Sequence, residues 1–444
     1  VITRLLCILM ALAFAGACAA QAPAADSHVT RLTFPNGLRL LVKPEPGRGL
    51  VALTVVVRAG ALEEGETPGV GQILARVLLT GARNLSERKL AQLVDEVGGS
   101  FSVTWDPDYT EIYVSTTAAQ LKPALELLAE TLIEPKLDAQ RILEARKQVA
   151  QDAREAARNP FRAGYDRLLS LLHPGRPYGR PLLAEPDRLE QITPEQVRRF
   201  MKDWFVPSNM VLAVVGDVRV EQVRDAARLW FGRLQPAAAP SREAPTAPPP
   251  PSSGPVMVEM DSGVTYVLAG APASGLNSRR YATDSIVAAV LGGGKASRMF
   301  QQIREEQGLV YELGTLYPPL LYQSHVVAYA LSPAYLPAGP RDVDPSFEQV
   351  RAALKASVDS LLQSPITEAE LTRAKNYLVG TFALRHQRLQ ERSKHLAWFE
   401  ALGLGWEFDQ SFPGLVQSVT LAEVRERAAE LFRRSAMVLV VPRE

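Results

Sequence analysis

The sequence predicts an α+β protein built from two tandem, homologous domains. Three observations carry this reading: strand-like runs alternate with long helical stretches, a proline-rich segment divides the chain, and its two halves close on one repeated pattern. PAAAPSREAPTAPPPPSSGP, residues 236–255, separates halves of similar length, and proline at that density makes an extended, exposed linker. The first half ends ITPEQVRRFMKDWFVPSNMVLAVVGD and the second VTLAEVRERAAELFRRSAMVLVVPRE. Aligned without a gap, Thr193 meets Thr420, Val197 meets Val424, Phe205 meets Phe432 and Met210-Val211-Leu212 meets Met437-Val438-Leu439. Both segments open on a capping box, Thr193 with Gln196 and Thr420 with Glu423, and run through a helix into a buried strand. Duplication explains the match. The expected units are residues 27–235 and 256–444, each an antiparallel-rich sheet with helices packed on one face.

The elements follow in order. LTFPNGLRLLVK reads as a hairpin turning at Asn36-Gly37, because an Asn-Gly pair accepts the positive φ of a tight turn. VALTVVVRAGA is a strand, GVGQILARVLLTGARN an amphipathic helix ending at Gly81, and a second helix runs near Ser86 to Val97. SFSVTWD and TEIYVSTT are strands, and long helices fill Leu121 to Leu172. In the second half, strands are expected near Val256 and Val264, a helix from Ala282 to Leu291, strands near Leu309 and His325, and helices from about Pro345.

The chain has 444 residues, 47% of them hydrophobic and 22% charged, with 49 basic against 48 acidic side chains. That suits a globular protein of two or three domains. The even charge balance, with no basic block, points away from nucleic acid. Residues 1–20 carry one early charge, Arg4, an apolar run from Leu5 to Phe14, then small residues. The run is shorter than the ~18–20 residues a membrane span needs, so it reads as a signal peptide and implies export to a periplasm-like compartment. Ala15-Gly16-Ala17-Cys18 resembles a bacterial lipobox with Ala15 where leucine is usual, and membrane attachment is expected only if Cys18 is lipidated. Both cysteines, Cys7 and Cys18, lie in this segment, which leaves no disulfide or thiol nucleophile after its removal.

Taken together, the duplicated unit, LTFPNGLRLLV, the helix after AGALEEGETPGVG and VPSNMVLAVVGDV resemble the pitrilysin-like (insulinase-type, M16) zinc peptidases, most of all their short two-domain branch. The resemblance implies a clamshell of two α+β halves. It also implies a motif H-x-x-E-H on the first domain's opening helix, where two histidines hold zinc and the glutamate is the general base. Here the matching positions read Gln72, Ala75 and Arg76. Glutamine is a poor zinc ligand, alanine takes no proton, and arginine brings a positive charge to a cation's place. The family's third ligand falls near Gln151-Asp152. Independently of any alignment, no two of the five histidines (His28, His173, His325, His386, His395) lie four apart. No zinc is therefore expected on this chain, and Gln72 and Arg76 read as a solvated helix face.

LGGGKASRMFQQIREEQGLVYELGT, residues 291–315, resembles the family's glycine-rich segment and its Arg-x6-Tyr pair. Carried over, the resemblance makes Gly292, Gly293 and Gly294 substrate-binding, and makes Arg304 and Tyr311 catalytic donors for substrate and for oxyanion charge. The residues alone also allow Arg304 in a surface charge cluster, Tyr311 as a strand-edge residue and the glycines as a helix C-cap. No phosphate-loop pattern, G-x-S-x-G elbow or S-x-x-K set is present. The expected function is a non-catalytic subunit of a heterodimeric zinc peptidase. A homologous partner would carry H-x-x-E-H and the zinc, with a peptide as substrate. The alternative is a catalytically silent scaffold or peptide-binding protein of the same fold.

Overall fold

The computed structural model describes residues 28–82, 87–242, 244–246, 254–332 and 345–443. The signal segment with Cys7 and Cys18, and residues 247–253 of the linker, lie outside the described residues.

In the first half, β1 (Thr30–Thr33) and β2 (Arg39–Pro44) form the expected hairpin, with Gly37 at φ 94°. The chain continues through β3 (Leu50–Val57), α1 (Val70–Leu78), α2 (Glu87–Val97), β4 (Ser100–Trp105) and β5 (Thr110–Thr117). Helices α3 (Leu121–Ile133), α4 (Ala139–Ala156), α5 (Pro160–Leu172), α6 (Pro186–Gln191) and α7 (Pro194–Trp204) follow, then β6 (Met210–Gly216) and α8 (Val220–Phe231). The second half holds β7 (Pro255–Met260), β8 (Thr265–Ser274), α9 (Tyr281–Gly292), a π-helical turn at Phe300–Glu306, β9 (Leu313–Leu316) and β10 (Gln323–Ser332). It closes with α10 (Pro345–Gln363), α11 (Glu368–Arg385), α12 (Leu389–Ala401), α13 (Glu407–Ser418), α14 (Leu421–Leu431) and β11 (Ala436–Pro442).

Among the described residues the strands form two sheets, ordered β1-β2-β6-β3-β5-β4 and β7-β11-β8-β10-β9. Strands β2 and β6 are parallel, as are β7 and β11, while the remaining pairs are antiparallel. Apart from β1, the two sheets have one topology, with β6 and β11 in equivalent central places. The capping boxes at Thr193 and Thr420 both form. The duplication read from the chain ends therefore extends to the whole sheet.

Each sheet carries helices of its own half on one face. A first core packs Leu40, Leu53 and Ile112 against Ile73, Leu74 and Leu125, and a second packs Val267 and Val326 against Ile286 and Leu354. The other faces are equally apolar, since strand residues alternate sides and β6 is buried along its whole length. These faces are covered by exchange. Helix α12 lies on the first sheet, where Leu396, Trp398 and Phe399 join Leu41, Val56 and Val211 in one core. Helix α5 lies on the second, where Leu168 and Leu172 meet Leu268 and Val438. Polar contacts pin α12: Arg39 donates to the Glu400 carbonyl at 2.8 Å, and Thr54 and Ser393 hydroxyls lie 2.7 Å apart.

Two expectations change. The strand placed near Leu309 begins at Leu313, because Leu309 N–H closes the preceding helical turn on the Ile303 carbonyl at 3.0 Å. The linker is not simply exposed. Arg242 is buried, pairs with the buried Glu63 and donates to the Asp108 carbonyl at 3.0 Å, which anchors the connecting segment to the first half. No helix among the described residues is long and apolar enough to cross a membrane.

The α5 contact is testable at Gly164, where a Cβ would stand 2.5 Å from Val440 Cγ2 and 2.8 Å from Leu268 Cδ1. Overpacking of this kind costs about 1–3 kcal/mol. Gly164→Val is expected to lower the urea midpoint accordingly, and an unchanged midpoint would show that α5 does not bear on the second sheet as described.

Candidate functional site

Helix α1 starts from Gly69, whose φ of 95° suits glycine. The first backbone N–H groups of a helix lack partners within it. Here the buried Glu64 carboxylate accepts from Gly69 N at 2.9 Å and Gly71 N at 3.1 Å. Burial raises its pKa to about 7 despite those hydrogen bonds. With one oxygen on each amide it acts as a helix cap. The sequence signal for it was weak, since Glu64 lies five residues before the helix turn it serves.

The three positions matching the zinc motif follow on α1, and two of them have become structural. Gln72 is buried, not on a solvated face as expected. Its amide donates to the Leu182 carbonyl at 3.0 Å and accepts from Ala184 N at 3.2 Å, clamping the segment before α6. Ala75 is buried and apolar. Arg76, half-exposed, forms an ion pair with Asp152 on α4, so the third-ligand region does face this helix. The donor set does not fit zinc. Both polar atoms of Gln72 are committed to backbone, position 75 has no base, and the one carboxylate neutralises a guanidinium.

Beside this helix lies a chamber between the halves, a cavity of about 840 Å³. Glu64, Gln72 and Trp105 line it from the first half, and His325, Lys394 and Trp398 from the second. A second cavity of about 480 Å³ shares Tyr165, Pro318, His395 and Trp398 with it and reaches Gly293 and Tyr377. The volume is in the range of small-molecule and peptide sites. Across the seam, Tyr165 Oη lies 2.7 Å from His325 Nε2, and His325 Nδ1 lies 3.2 Å from His173 Nε2. Burial lowers the pKa of His173 to about 4 and that of His325 well below the ordinary range, so both are neutral. Asp108 adds a second link, accepting from Tyr178 Oη at 2.5 Å and from Leu321 N at 2.8 Å.

Arg304 and Tyr311 come together. The Arg304 guanidinium donates to the Tyr311 carbonyl at 2.8 Å and lies over the Phe300 and Tyr311 rings at 4.9 and 5.7 Å. Tyr311 is 85% exposed, and neither residue is among those lining the two cavities. Gly292 and Gly293 end α9, with Gly293 N–H bonded to Ala289 O at 2.9 Å as in a helix cap. A Cβ on Gly292 would meet Thr315 N at 2.8 Å, so glycine lets α9 approach β9 closely. Gly294 has φ 78° and packs near the Tyr377 ring.

Two duplicated halves meeting at a chamber, with the opening helix of the first beside it, define a two-domain clamshell whose motif positions on α1 hold no zinc donor set. Comparison with known proteins agrees. Residues 39–185 match the profile described as insulinase (peptidase family M16), and residues 191–378 match the peptidase M16 inactive domain. The chain belongs to the M16 peptidase family. An uncharacterized zinc protease of Mycobacterium leprae is 28% identical over 370 residues, covering 81% of this chain and 80% of the relative. One from Bacillus subtilis is 22% identical over 417 residues, 93% of this chain and 98% of the relative. Among solved structures, a protease from Helicobacter pylori superposes with a TM-score of 0.84 at 20% identity, covering 94% of this chain and 100% of that one. A peptidase M16 inactive domain from Pseudomonas fluorescens gives 0.83 at 20% identity, covering 94% and 98%.

Gln72→Leu leaves the Leu182 carbonyl and Ala184 amide without partners, and each such loss costs about 1–3 kcal/mol. A lower denaturation midpoint is expected, and a neutral effect would contradict the clamp. The histidine pair adds a pH dependence. The folded pKa of His173, about 4, lies below its unfolded value near 6.5, so folding excludes its proton. Stability is complete above about pH 6.5 and falls as pH drops toward 4, by about 3 kcal/mol for this residue. His173→Gln should flatten that part of a urea-midpoint profile.

Proposed function

We propose that this chain is the non-catalytic subunit of a two-chain zinc peptidase. In this reading it forms half of a peptide-binding chamber, and a homologous partner contributes the zinc-binding helix. The observation that carries the reading is the contrast on either side of α1. Gln72 and Arg76 close the zinc positions into internal bonds, while the adjoining chamber stays open and lined by both halves. A chain with no general base at position 75 has no route to activate water there. The relatives named as zinc proteases make peptide bonds the reasonable substrate class.

Arg304 and Tyr311 would act in the assembled pair. The exposure of Tyr311 supports this, because a phenol left 85% open is available to a substrate presented by another chain. The guanidinium holds the Tyr311 backbone and packs on its ring, so the two donors are positioned as one unit. Donors aimed at developing oxyanion charge contribute about 10²–10³ in rate. Of the glycine run Gly292-Gly293-Gly294, Gly293 lines the second cavity and would let a peptide backbone pass close to the end of α9. Export to the periplasm, with the catalytic zinc held by the partner, completes the proposal.

Pull-down of the tagged chain from its native host, followed by mass spectrometry, tests the pairing. A stoichiometric partner bearing H-x-x-E-H supports it, and recovery alone or with unrelated proteins favours the scaffold reading. Within such a complex Tyr311→Phe is expected to slow peptide cleavage about 100-fold without preventing assembly. Unchanged kinetics would remove the assigned role.

A further inference from the structure

Three side chains far apart in sequence converge below the second cavity. His386 follows α11, His395 lies in the middle of α12, and Asp409 sits in the first turn of α13. His386 Nε2 lies 2.8 Å from Asp409 Oδ1 and 3.2 Å from His395 Nδ1, and His395 Nδ1 lies 3.7 Å from the same oxygen. The three side chains are 11–16% exposed.

His386 Nδ1 is 2.8 Å from the Phe382 carbonyl, which only accepts, so that nitrogen carries a proton. In the neutral ring Nε2 is then a lone pair, and it points at a carboxylate oxygen. Two acceptors at 2.8 Å, with a third nitrogen at 3.2 Å, need a positive centre between them, either a second proton on His386 held by Asp409 or a metal ion. A metal-bound histidine usually gives its other ring N–H to a carbonyl or carboxylate, as His386 does. On the far side of His395, Glu391 Oε2 lies 3.9 Å from Nε2, too far for a hydrogen bond but near enough to add a negative charge.

We infer that His386, His395 and Asp409 form a binding site for a divalent transition metal of the zinc class, separate from the vanished site on α1. Zinc bonds to nitrogen and oxygen of about 2.0–2.1 Å put neighbouring ligand atoms of a tetrahedron about 3.3 Å apart. The three observed edges of 2.8, 3.2 and 3.7 Å bracket that spacing. Two imidazoles and one carboxylate also match a zinc donor set with a fourth position left for water. The imidazole planes lie 20° from parallel, so binding needs one ring to turn about its soft χ2 torsion. Lys394 does not compete, because its ammonium is bonded to Glu111 at 2.9 Å. Arg385 adds a positive charge nearby, against which Asp409 and Glu391 supply two negative ones. A bound ion would tie α11 and α13 to α12, the helix that crosses to the first sheet, and so would brace the chamber wall.

The test uses the full chain, stripped with EDTA and titrated with zinc chloride by calorimetry. One zinc per chain and a raised thermal midpoint are expected. Asp409→Ala and His395→Gln should weaken binding by more than the ~10–100-fold that loss of an outer partner costs. Asp152→Ala, at the former site on α1, should leave it unchanged. If those variants fold poorly, the unaltered chain still decides the matter: anomalous diffraction at the zinc edge places the ion between the three side chains, or it does not. Absence of binding, or binding that survives Asp409→Ala and His395→Gln, overturns the assignment. In the first case a proton on His386 is the positive centre.

Discussion

The exchange of one helix between the halves is the constraint on which the rest depends. The central strands of both sheets are apolar on both faces, as the fully buried β6 and the almost fully buried β8 make plain. Each half supplies enough helices to cover one face only. Helix α12 covers the first sheet and α5 the second, and neither face can be left bare, since burying one large apolar side chain is worth about 1.5–3 kcal/mol. Separating the halves would expose two cores at once. The chamber is therefore a permanent feature between two mutually buried units, and the links at its seam (Tyr165 to His325, Asp108 to Leu321) are consequences of that docking.

Against that background the fate of the zinc positions is intelligible. Helix α1 belongs to the first core through Ile73, Leu74, Val77 and Leu78, so it persists whatever its other face carries. With no metal donor set at these positions, buried polar atoms still need partners. Gln72 meets this by bonding two backbone groups, while the half-exposed Arg76 pairs with Asp152. The ion pair is half-exposed and worth at most about 1 kcal/mol, so it does little for stability. Its effect is chemical: a fixed positive charge now faces the carboxylate that remains.

Much of this was legible in the chain. Hairpin, strand and helix periods follow from side-chain alternation and turn residues, and the paired capping boxes revealed the duplication before any sheet was seen. That Gln72, Ala75 and Arg76 make no zinc ligand set was equally plain, because ligand spacing on a helix is a local property. Gln72 was misread as solvated, since its burial comes from residues 182–184, more than a hundred positions away. Arg242 was hidden in a proline-rich stretch whose composition suggests solvent, though its partners lie in the first half.

The histidines mark the division most clearly. Sequence established that no two stand four apart, which rules out a pair of histidine ligands one turn apart on a helix, and it established the two-fold plan. Only the tertiary structure brought His386, His395 and Asp409 within hydrogen-bonding reach and joined Tyr165, His325 and His173 across the seam. Local patterns record what a segment can bury and where it turns. Which side chains meet depends on how α11, α12 and α13 turn back on one another and on which sheet each exchanged helix covers, and the physical cause of both is the burial of apolar faces contributed by distant parts of the chain.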